Sequence, residues 1–450
     1  MQHLFRAPLR LQKRTTIALL LALFSLSSVV LAGCGGSSSS NGGSSSKITL
    51  TVLESQGWVH DPVRDLAKKF EAQTGIHIDY QIIPAANYFQ VLKTKLNSGQ
   101  GPDLFGGQSG VSDLKVNYNV EANAVDLSKE EWVKREDPNA VSQATVNGKV
   151  YGQEIWDIYS GYWVIVYNKD IFQKVGITSV PATYNDFVAD CAKIKAAGIT
   201  PIYEPISDGW HHVLWFPEIG ARMEQMETGL YAKLNTNQAT LAADSSANTA
   251  MTQINELYQK GYFGSSALSN QFANTEKQMA SGQYAMTING LTEPNAIHAA
   301  YSNVQASSFG FFPLPILDNQ LLPTHPAAPT NFIYSKGPHI AQAKQYLAFL
   351  AQPTNLQYYV DHDTLSETVD FTGIKAKWTQ EQQSFLNQYQ AATTLVLQDS
   401  VNYVNPQWID IGKDMTAMFT RQETPHQVLV NTDTRRKQEA LSAHDPAWQQ

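Results

Sequence analysis

Residues 48–83, ITLTVLESQGWVHDPVRDLAKKFEAQTGIHIDYQII, hold the pattern that decides the fold. Ile48, Leu50 and Val52 alternate with threonines, which predicts a strand. Apolar residues then recur at helical spacing as far as Phe70, and a second alternating stretch follows. The order strand, helix, strand indicates a βαβ unit, which belongs to a parallel sheet with a right-handed crossover.

The same succession of elements continues along the chain. Leu104-Phe105 is a predicted short strand after a second helix, and Tyr162 to Tyr167 is an unbroken apolar run, typical of a strand buried on both faces. Thr183 and Asp186 have the spacing of a capping box, which predicts the start of a helix. The sequence therefore predicts an α/β protein from end to end.

Composition places the chain among globular proteins. It has 450 residues, of which 43% are hydrophobic and 16% charged, so it is long enough to bury a large core. The formal charge is −8, and the sequence without its first 33 residues, which contain four basic residues and no acid, has 28 basic and 40 acidic residues. Such a surface repels phosphate backbones, so we expect no nucleic-acid partner.

The N-terminus carries a predicted export signal. A cationic stretch precedes the apolar run from Thr15 to Leu31, as in a secretory signal peptide. The run ends in Leu-Ala-Gly before Cys34, which resembles the lipobox of bacterial lipoproteins and implies that Cys34 is lipidated. Residues 1–33 are then the signal peptide, and the Gly- and Ser-rich residues 34–46 form a flexible tether. We expect an extracytoplasmic protein anchored to the cell membrane through Cys34.

The second cysteine, Cys191, has no partner if Cys34 carries lipid. It shares one face of a predicted helix with Tyr184, Phe187 and Ile194. This pattern predicts a buried core thiol and not a nucleophile.

Six stretches of the chain, in collinear order, resemble the extracellular solute-binding proteins of ABC importers, and more narrowly the maltose-binding-like carbohydrate group. The stretches are KKFEAQTGIHIDYQ, GPDLF, YGQEIWDIYSGYWVIVYNKDIFQKVGI, PATYNDFVADCAKIKAAGITPI, MASGQYAMTING and PHIAQAKQYLAFLAQPTN. The resemblance implies a two-lobe, periplasmic-binding-protein-like (type II) α/β fold, with several crossovers and a ligand cleft between the lobes. Residues 47–156 plus 314–364 would form lobe one, and residues 157–313 plus 365–450 would form lobe two.

Ligands of α/β sheets lie beyond the carboxyl ends of the strands, so binding residues are expected on the loops there. A sugar needs flat aromatic rings for its C–H faces and planar amide or carboxylate groups for its hydroxyls. Asp208 and Trp210, and likewise Trp408, match ligand-facing positions of the resembling family. The candidate binding residues are Glu54, Gln56, Trp58, Gln108, Ser109, Tyr159, Asp208, Trp210, Asn289, Gly290 and Trp408.

One stretch departs from the family pattern. After Asn289-Gly290 the family usually has a tryptophan that serves as a sugar platform, but this chain continues Leu291-Thr292-Glu293. The departure weakens a maltodextrin assignment and leaves room for a different sugar. A polyamine or a glycerol phosphodiester is the alternative within the same class of binding proteins. A secreted glycan hydrolase or lyase is the alternative from another class.

Catalytic and metal-binding signatures are weak in this sequence. Gly107-Gln108-Ser109-Gly110-Val111 lacks the last glycine of a nucleophile elbow, and the adjacent His211 and His212 would diverge on a helix. Asp361-His362-Asp363 fits a solvated loop better than a cation site. We therefore predict a monomeric binding protein without enzymatic activity, metal or cofactor, which delivers a carbohydrate ligand to the transmembrane subunits of an ABC permease.

Overall fold

A computed structural model of the chain describes residues 48–110, 113–155, 162–324, 329–389 and 391–449. The predicted signal peptide, the tether and Cys34 lie outside these residues. The described strands are β1 (Thr49–Ser55), β2 (His77–Ile83), β3 (Leu104–Gly107), β4 (Thr145–Val146), β5 (Lys149–Val150), β6 (Gly152–Glu154), β7 (Val164–Asn168), β8 (Thr200–Tyr203), β9 (Tyr284–Asn289), β10 (Phe309–Phe312), β11 (Leu322–Thr324), β12 (Thr330–Ile333) and β13 (Ala391–Leu395).

Helices alternate with these strands along most of the described chain. They are α1 (Asp61–Thr74), α2 (Ala85–Asn97), α3 (Val120–Asn123), α4 (Pro138–Gln143), α5 (Lys169–Lys174), α6 (Tyr184–Ala196), α7 (Gly220–Met226), α8 (Leu230–Asn235), α9 (Ser245–Gln259), α10 (Thr275–Ala280), α11 (Glu293–Ala300), α12 (Ile340–Leu350), α13 (Pro353–His362), α14 (Gln380–Gln388), α15 (Leu397–Ser400), α16 (Trp408–Phe419) and α17 (Pro425–Ser442). The predicted capping box is present, since the side chains and backbones of Thr183 and Asp186 bond reciprocally at the start of α6.

The first lobe is built on a five-stranded sheet in the order β2, β1, β3, β12, β6. The strands β1, β2 and β3 run parallel, as the sequence predicts, but β12 runs antiparallel to both of its neighbours. Leu50 and Val52 of β1 pack on one face of the sheet against Phe70 of α1 and Leu347 of α12. Leu53 points to the opposite face, as the two-residue period of a strand requires.

The second lobe is built on a four-stranded sheet in the order β10, β7, β9, β8. Here β8 and β9 are parallel, whereas β7 is antiparallel to both β9 and β10. The buried run predicted for β7 is confirmed: Ile165 packs into one core cluster, and Val164 and Val166 pack into another on the opposite face. Cys191 is fully buried in the first of these clusters, and burial raises the pKa of its thiol, so the prediction of a core thiol is confirmed.

The two-lobe α/β fold is confirmed, but two stretches pack on the opposite lobe from the one predicted. Ile316 and Leu317, expected in lobe one, lie in the core of the second lobe. Phe371, expected in lobe two, packs in the core of the first lobe, and the backbone N–H of Asp370 donates to the carbonyl of Ile155 at 3.3 Å. Apolar pattern marks these residues as buried without indicating which of two cores will bury them.

None of the described helices combines the length and the apolar composition that crossing a bilayer would require. The apolar run from Thr15 to Leu31 lies outside the described residues.

Candidate functional site

The carboxyl end of β3 in the first lobe meets the second lobe at Gln108. Gln108 Oε1 accepts a hydrogen bond from Asn405 Nδ2 at 2.8 Å, while the Gln108 backbone N–H donates to the Tyr118 hydroxyl at 2.9 Å. Asn405 begins a single 3-10 turn, residues 405–407, directly before α16. One predicted binding residue thus contacts the other lobe through a pair of side-chain amides.

A buried carboxyl group lies at the same contact. Asp113 Oδ2 accepts a second hydrogen bond from the amide of Asn405, and Asp113 Oδ1 accepts from Asn117. Asp113 is 2% exposed, and burial raises the pKa of its carboxyl group to about 6, although the two amide donors oppose the rise. The contact between the lobes is therefore held by one asparagine that donates to two first-lobe acceptors.

Further acids surround this contact. Asp399 is the third residue of α15. Burial raises the pKa of its carboxyl group, and the nearby carboxyl groups of Asp113, Glu218 and Glu154 raise it further. Asp399 Oδ2 is buried without a hydrogen-bond partner among the described residues. The facing surfaces of the two lobes are accordingly acidic here, and two of these acids, Asp399 and Glu218, come from the second lobe.

Aromatic rings of the second lobe form a cluster at the start of α16, the helix that follows the turn of Asn405. The ring centroid of Trp210 lies 5.1 Å from that of Phe272 and 5.8 Å from that of Trp163, all at steep interplanar angles. Trp408 Nε1 donates to the Trp210 backbone carbonyl at 2.9 Å. Asp208 accepts the backbone N–H of Phe272, which draws the stretch after α9 onto the cluster.

The close approach of α16 to this cluster depends on glycine. A Cβ atom at Gly412 would lie 1.9 Å from the carbonyl oxygen of Gly209, so no larger residue fits without displacing the helix. Gly209 itself has a φ of 78°, in the left-handed region that favours glycine. These two glycines let Trp408 at the start of α16 reach the carbonyl of Trp210.

A buried polar network supports the cluster from beneath. His211 Nδ1 lies 2.6 Å from Glu204 Oε1, His211 Nε2 lies 3.1 Å from the Ile288 carbonyl, and Trp215 Nε1 donates to Glu204 Oε2 at 2.7 Å. A carbonyl only accepts hydrogen bonds, so His211 Nε2 carries a proton. His211, Glu204 and Trp215 are fully buried, which makes the group a structural support for the loop of Trp210.

The neighbouring His212 has different partners. Its Nε2 donates to the Gly412 carbonyl at 2.8 Å, and burial lowers the pKa of its ring. His211 and His212 therefore diverge, as predicted. Among the residues that the structure describes, no group of three or more His, Cys, Asp or Glu side chains is arranged to hold a metal ion.

In the first lobe, Glu54, Gln56 and Trp58 end up in three different settings. Glu54 is 2% exposed over Gly106, its Oε2 has no partner among the described residues, and burial raises the pKa of its carboxyl group. Gln56 is exposed, while Trp58 is half-buried, with its ring centroid 5.2 Å from that of Tyr88. A ligand role for each of the three stays a prediction.

The remaining predicted residues are dispersed. Ser109 is fully buried, and Asn289 at the end of β9 is 7% exposed, with its side-chain N–H groups lacking a partner among the described residues. The backbone N–H of Gly290 donates to Asn289 Oδ1 at 2.8 Å. Tyr159 lies outside the described residues.

The structure thus joins Trp210, Asp208 and Trp408 in one cluster of the second lobe. Gln108 is linked to this cluster only through Asn405, which lies in the turn directly before α16. Glu54 and Trp58 make no described contact with the cluster. Sequence reasoning missed Asn405, Asp113, Trp163 and Phe272. Asn405 lies three residues before the predicted Trp408, so its proximity to Trp408 was a usable signal. Phe272 carries no local signal, because its place is set by a hydrogen bond to Asp208, 64 residues earlier.

One reading of the sequence is wrong near the end of α13. Asp361 and His362 belong to that helix, and Asp363 is not in a solvated loop. Asp363 is 3% exposed, and its Oδ2 lies 2.6 Å from His60 Nδ1. The adjacent imidazole lowers the pKa of Asp363 against the opposing effect of burial. Only the packing of α13 against the loop before α1 reveals this pairing.

Comparison with known proteins gives a family match and several similar proteins. The profile of bacterial extracellular solute-binding proteins matches residues 57–357. A binding protein of Brucella abortus (strain 2308) is 28% identical over 171 residues, 38% of this chain and 41% of that protein, so this chain spans less than half of that relative. The multiple sugar-binding protein of Streptococcus mutans (serotype c) is 23% identical over 350 residues, 76% of this chain and 80% of that protein.

Solved structures agree with the architecture. A crystal structure of a sugar transporter from Bacillus licheniformis, in complex with stachyose, has a TM-score of 0.72 and 19% sequence identity, and the match covers 87% of this chain and 100% of that chain. At this level of identity, the likeness is one of fold.

Proposed function

Because this chain belongs to the family of bacterial extracellular solute-binding proteins, we propose that it captures a sugar or oligosaccharide between its lobes and delivers it to an ABC permease. The chain is accordingly a binding protein and not an enzyme. Two similar proteins, one named for multiple sugars and one solved with stachyose, support an oligosaccharide as the ligand.

The proposal is carried by the amide pair Gln108 and Asn405, whose turn leads directly into α16, where Trp408 bonds to the carbonyl of Trp210. Sugar hydroxyls both donate and accept hydrogen bonds, so an amide from each lobe suits them as partners. The two amides bond to each other in the structure, and a sugar bound between them would offer each a hydroxyl as an alternative partner. Ring faces beside them would cover the apolar C–H surface of the sugar.

This exchange of partners supplies a closing mechanism. A sugar that bonds to both lobes stabilises the arrangement in which they approach, and the permease would bind that arrangement selectively; hinge closure of periplasmic binding proteins is the general example of such a shift. Micromolar affinity requires about 8 kcal/mol, which several stacked rings and satisfied hydrogen bonds can supply. The ligand therefore has to contact both lobes, not one.

Packing favours modified lobe boundaries for this mechanism. We place residues 48–155 and 329–377 in the first lobe and residues 162–324 and 378–449 in the second. Lys377 Nζ donates to the carbonyl of Val360 at 2.6 Å, whereas Trp378 packs against the second-lobe cluster of Phe385. The chain thus changes lobes close to residues 377 and 378.

Membrane attachment through a lipid on Cys34 belongs to the same proposal. The lipobox-like sequence and the Gly- and Ser-rich residues 35–46 support it, since such a tether has a root-mean-square reach of roughly 20 Å. Cys34→Ala should release the protein from the membrane fraction without changing its affinity for ligand. Retention of Cys34→Ala on membranes, or absence of labelling by a fatty-acid precursor in the unchanged protein, contradicts the anchor.

A cationic solute is the second candidate, because Asp113 and Asp399 add carboxyl groups to the facing surfaces of the lobes. The same acids disfavour a glycerol phosphodiester. Thermal unfolding of the mature protein with raffinose, stachyose, chitobiose, spermidine and glycerophosphocholine separates the classes, because a ligand at about 100 times its Kd adds about 2.7 kcal/mol of stability. Stabilisation by a saccharide supports the proposal, and stabilisation by spermidine alone overturns its substrate class.

A further inference from the structure

A cavity of about 380 Å³ lies between the lobes, away from the amide pair. Its walls include four aromatic rings and two carboxyl groups, and neither Gln108, Asn405 nor Trp210 is among them. Ligand pockets generally start at about 300 Å³. The residues used in the argument below are Tyr162, Phe371, Trp378, Tyr389, Asp137 and Asp370.

One wall of the cavity belongs to the first lobe and is firmly held. The backbone N–H of Asp137 donates to the carbonyl of Asp370 at 2.8 Å, and Glu136 and Phe371 form an isolated antiparallel bridge. The side chains of Asp370 and Phe371 are 2% and 5% exposed, respectively. Their positions are fixed by backbone pairing, so this wall is preformed.

The other wall belongs to the second lobe. Trp378 and Tyr389 flank α14, whose Phe385 lies 5.0 Å from Tyr389 and 5.5 Å from Phe311 of β10 between ring centroids. Trp378 is half-buried, so part of its ring is open to the cavity side. A molecule in the cavity would therefore contact a first-lobe wall that holds Phe371 and two aspartates and a second-lobe wall of three rings.

The charges around the cavity favour a neutral occupant. The guanidinium of Arg135 lies 5.7 Å from the ring centroid of Phe371, which lines the cavity on the wall of Asp137 and Asp370. A cation thus already lies behind this wall, which reduces its attraction for a second one. Neutral molecules with an apolar face and a rim of hydroxyls match rings on one wall and acceptors on the other.

From this combination we infer that the cavity is a second binding site, for the pyranose ring of a neutral saccharide. This inference goes beyond the proposed function, which places the ligand at the amide pair. The second site would hold an occupant that also contacts both lobes. Occupation of the cavity would couple to the distance between the lobes, because its two walls move with different lobes.

Fluorine NMR of the mature protein labelled with 5-fluorotryptophan tests the inference. Trp378→Phe assigns the Trp378 resonance, and Trp448, which is 5% exposed in a separate cluster with Tyr403, provides a control resonance. Galactose, glucose, xylose and N-acetylglucosamine are titrated separately into the unchanged protein and into Trp210→Ala. We expect at least one of them to shift the Trp378 resonance saturably in both proteins, with the Trp448 resonance unmoved.

Tyr389→Phe, which removes only a hydroxyl group, should weaken that titration severalfold and leave binding at the amide pair intact. A Trp378 resonance that never moves, in a protein that still binds saccharide, overturns the second site and leaves the proposed function standing. A shift that disappears in Trp210→Ala also overturns it, because Trp378 then reports closure caused by the first site. If no tryptophan resonance shifts with any of the saccharides, the result contradicts both the second site and the proposed function.

Discussion

Asn405 Nδ2 lies 2.8 Å from Gln108 Oε1, and through this bond a turn of the second lobe contacts the end of a first-lobe strand. The same amide donates to Asp113, so a single side chain satisfies two first-lobe acceptors. Because an unpartnered buried acceptor costs about 1 to 3 kcal/mol, the contact is maintained only while Asn405, or a ligand that replaces it, supplies the donors.

Removal of this amide should weaken both the contact and ligand binding. Asn405→Ala leaves Gln108 and Asp113 short of donors, so we expect the free energy of unfolding to fall by about 1 to 2 kcal/mol. Affinity for the saccharide should fall about tenfold, corresponding to about 1.4 kcal/mol. Urea unfolding and calorimetric titration measure the two effects.

Gln108→Ala should lower the affinity by a similar factor, and Gln100→Ala, an exposed glutamine of the same lobe, provides the control. The double variant of Gln108 and Asn405 should lose less than the sum of the single losses, because the two residues share one bond. Strict additivity, or a loss as large for Gln100→Ala, contradicts the assignment.

Stability should depend on pH through Asp113. Burial raises the pKa of its carboxyl group to about 6, above the usual value of 3.8, so the folded chain binds this proton more tightly than the unfolded chain. The contribution to stability is therefore full below about pH 4, is lost as the pH rises towards about 6, and does not change above that. Two pKa units correspond to on the order of 3 kcal/mol.

Asp113→Asn should flatten this part of the stability profile, measured by urea unfolding from pH 4 to 7. Other buried acids, such as Asp399, would still contribute in the same direction. Asp65→Asn is the control, because Asp65 lies on the surface of the first lobe beside Lys68, far from the contact between lobes. An unchanged profile for Asp113→Asn would show that this carboxyl group titrates normally.

Local pattern was sufficient for the elements but not for the sheets. The alternation of Leu50 and Val52 and the capping box of Thr183 have their cause within a few residues, and both are present in the structure. The antiparallel direction of β7 and β12 depends on partners more than a hundred residues away along the chain. The periodicity of apolar residues does not indicate which distant strand a segment pairs with, or in which direction.

The candidate site shows the same division. Trp210 and Trp408 were predicted because they match ligand-facing positions of the resembling family, and the structure joins them through a hydrogen bond. Glu54 was predicted because it lies at the carboxyl end of the first strand, but it is buried over Gly106. Whether a residue at the end of a strand faces a ligand or its own sheet depends on the neighbouring strand, which the local sequence does not contain.

The network beneath the aromatic cluster should matter for stability more than for binding. Glu204→Gln replaces one buried carboxyl oxygen with an amide NH2 group, so that either His211 or Trp215 loses its partner, and an unmatched buried polar group costs about 1 to 3 kcal/mol. Trp215→Phe, which removes only one donor to Glu204, should cost less than Glu204→Gln. Both are measured by urea unfolding.

The same two variants, Glu204→Gln and Trp215→Phe, should lose stability without losing saccharide binding. The proteins that remain folded should bind the saccharide nearly as well as the unchanged chain, because neither side chain is exposed to a ligand. A Glu204→Gln protein of normal stability but abolished binding would instead place Glu204 in direct contact with the ligand.

The close approach of α16 gives a further prediction. Gly412→Ala places a methyl group against the Gly209 carbonyl, so α16 must shift and carry Trp408 away from Trp210. We expect a loss of stability of about 1 to 3 kcal/mol, as for overpacked cores, together with weaker saccharide binding. Lys413→Ala, on an exposed position of the same helix, should leave both quantities unchanged. Normal binding by Gly412→Ala would show that the position of α16 does not matter for the site.

Calorimetric titration of the mature protein and its Trp210→Ala variant with raffinose, stachyose and chitobiose shows whether the Trp210 cluster belongs to an oligosaccharide site. We expect at least one oligosaccharide to bind the unchanged protein in the micromolar range, to be recovered intact, and to bind the variant at least tenfold more weakly. Oligosaccharide binding that is equally tight in Trp210→Ala, or an absence of binding by the unchanged protein to all three, would contradict this expectation.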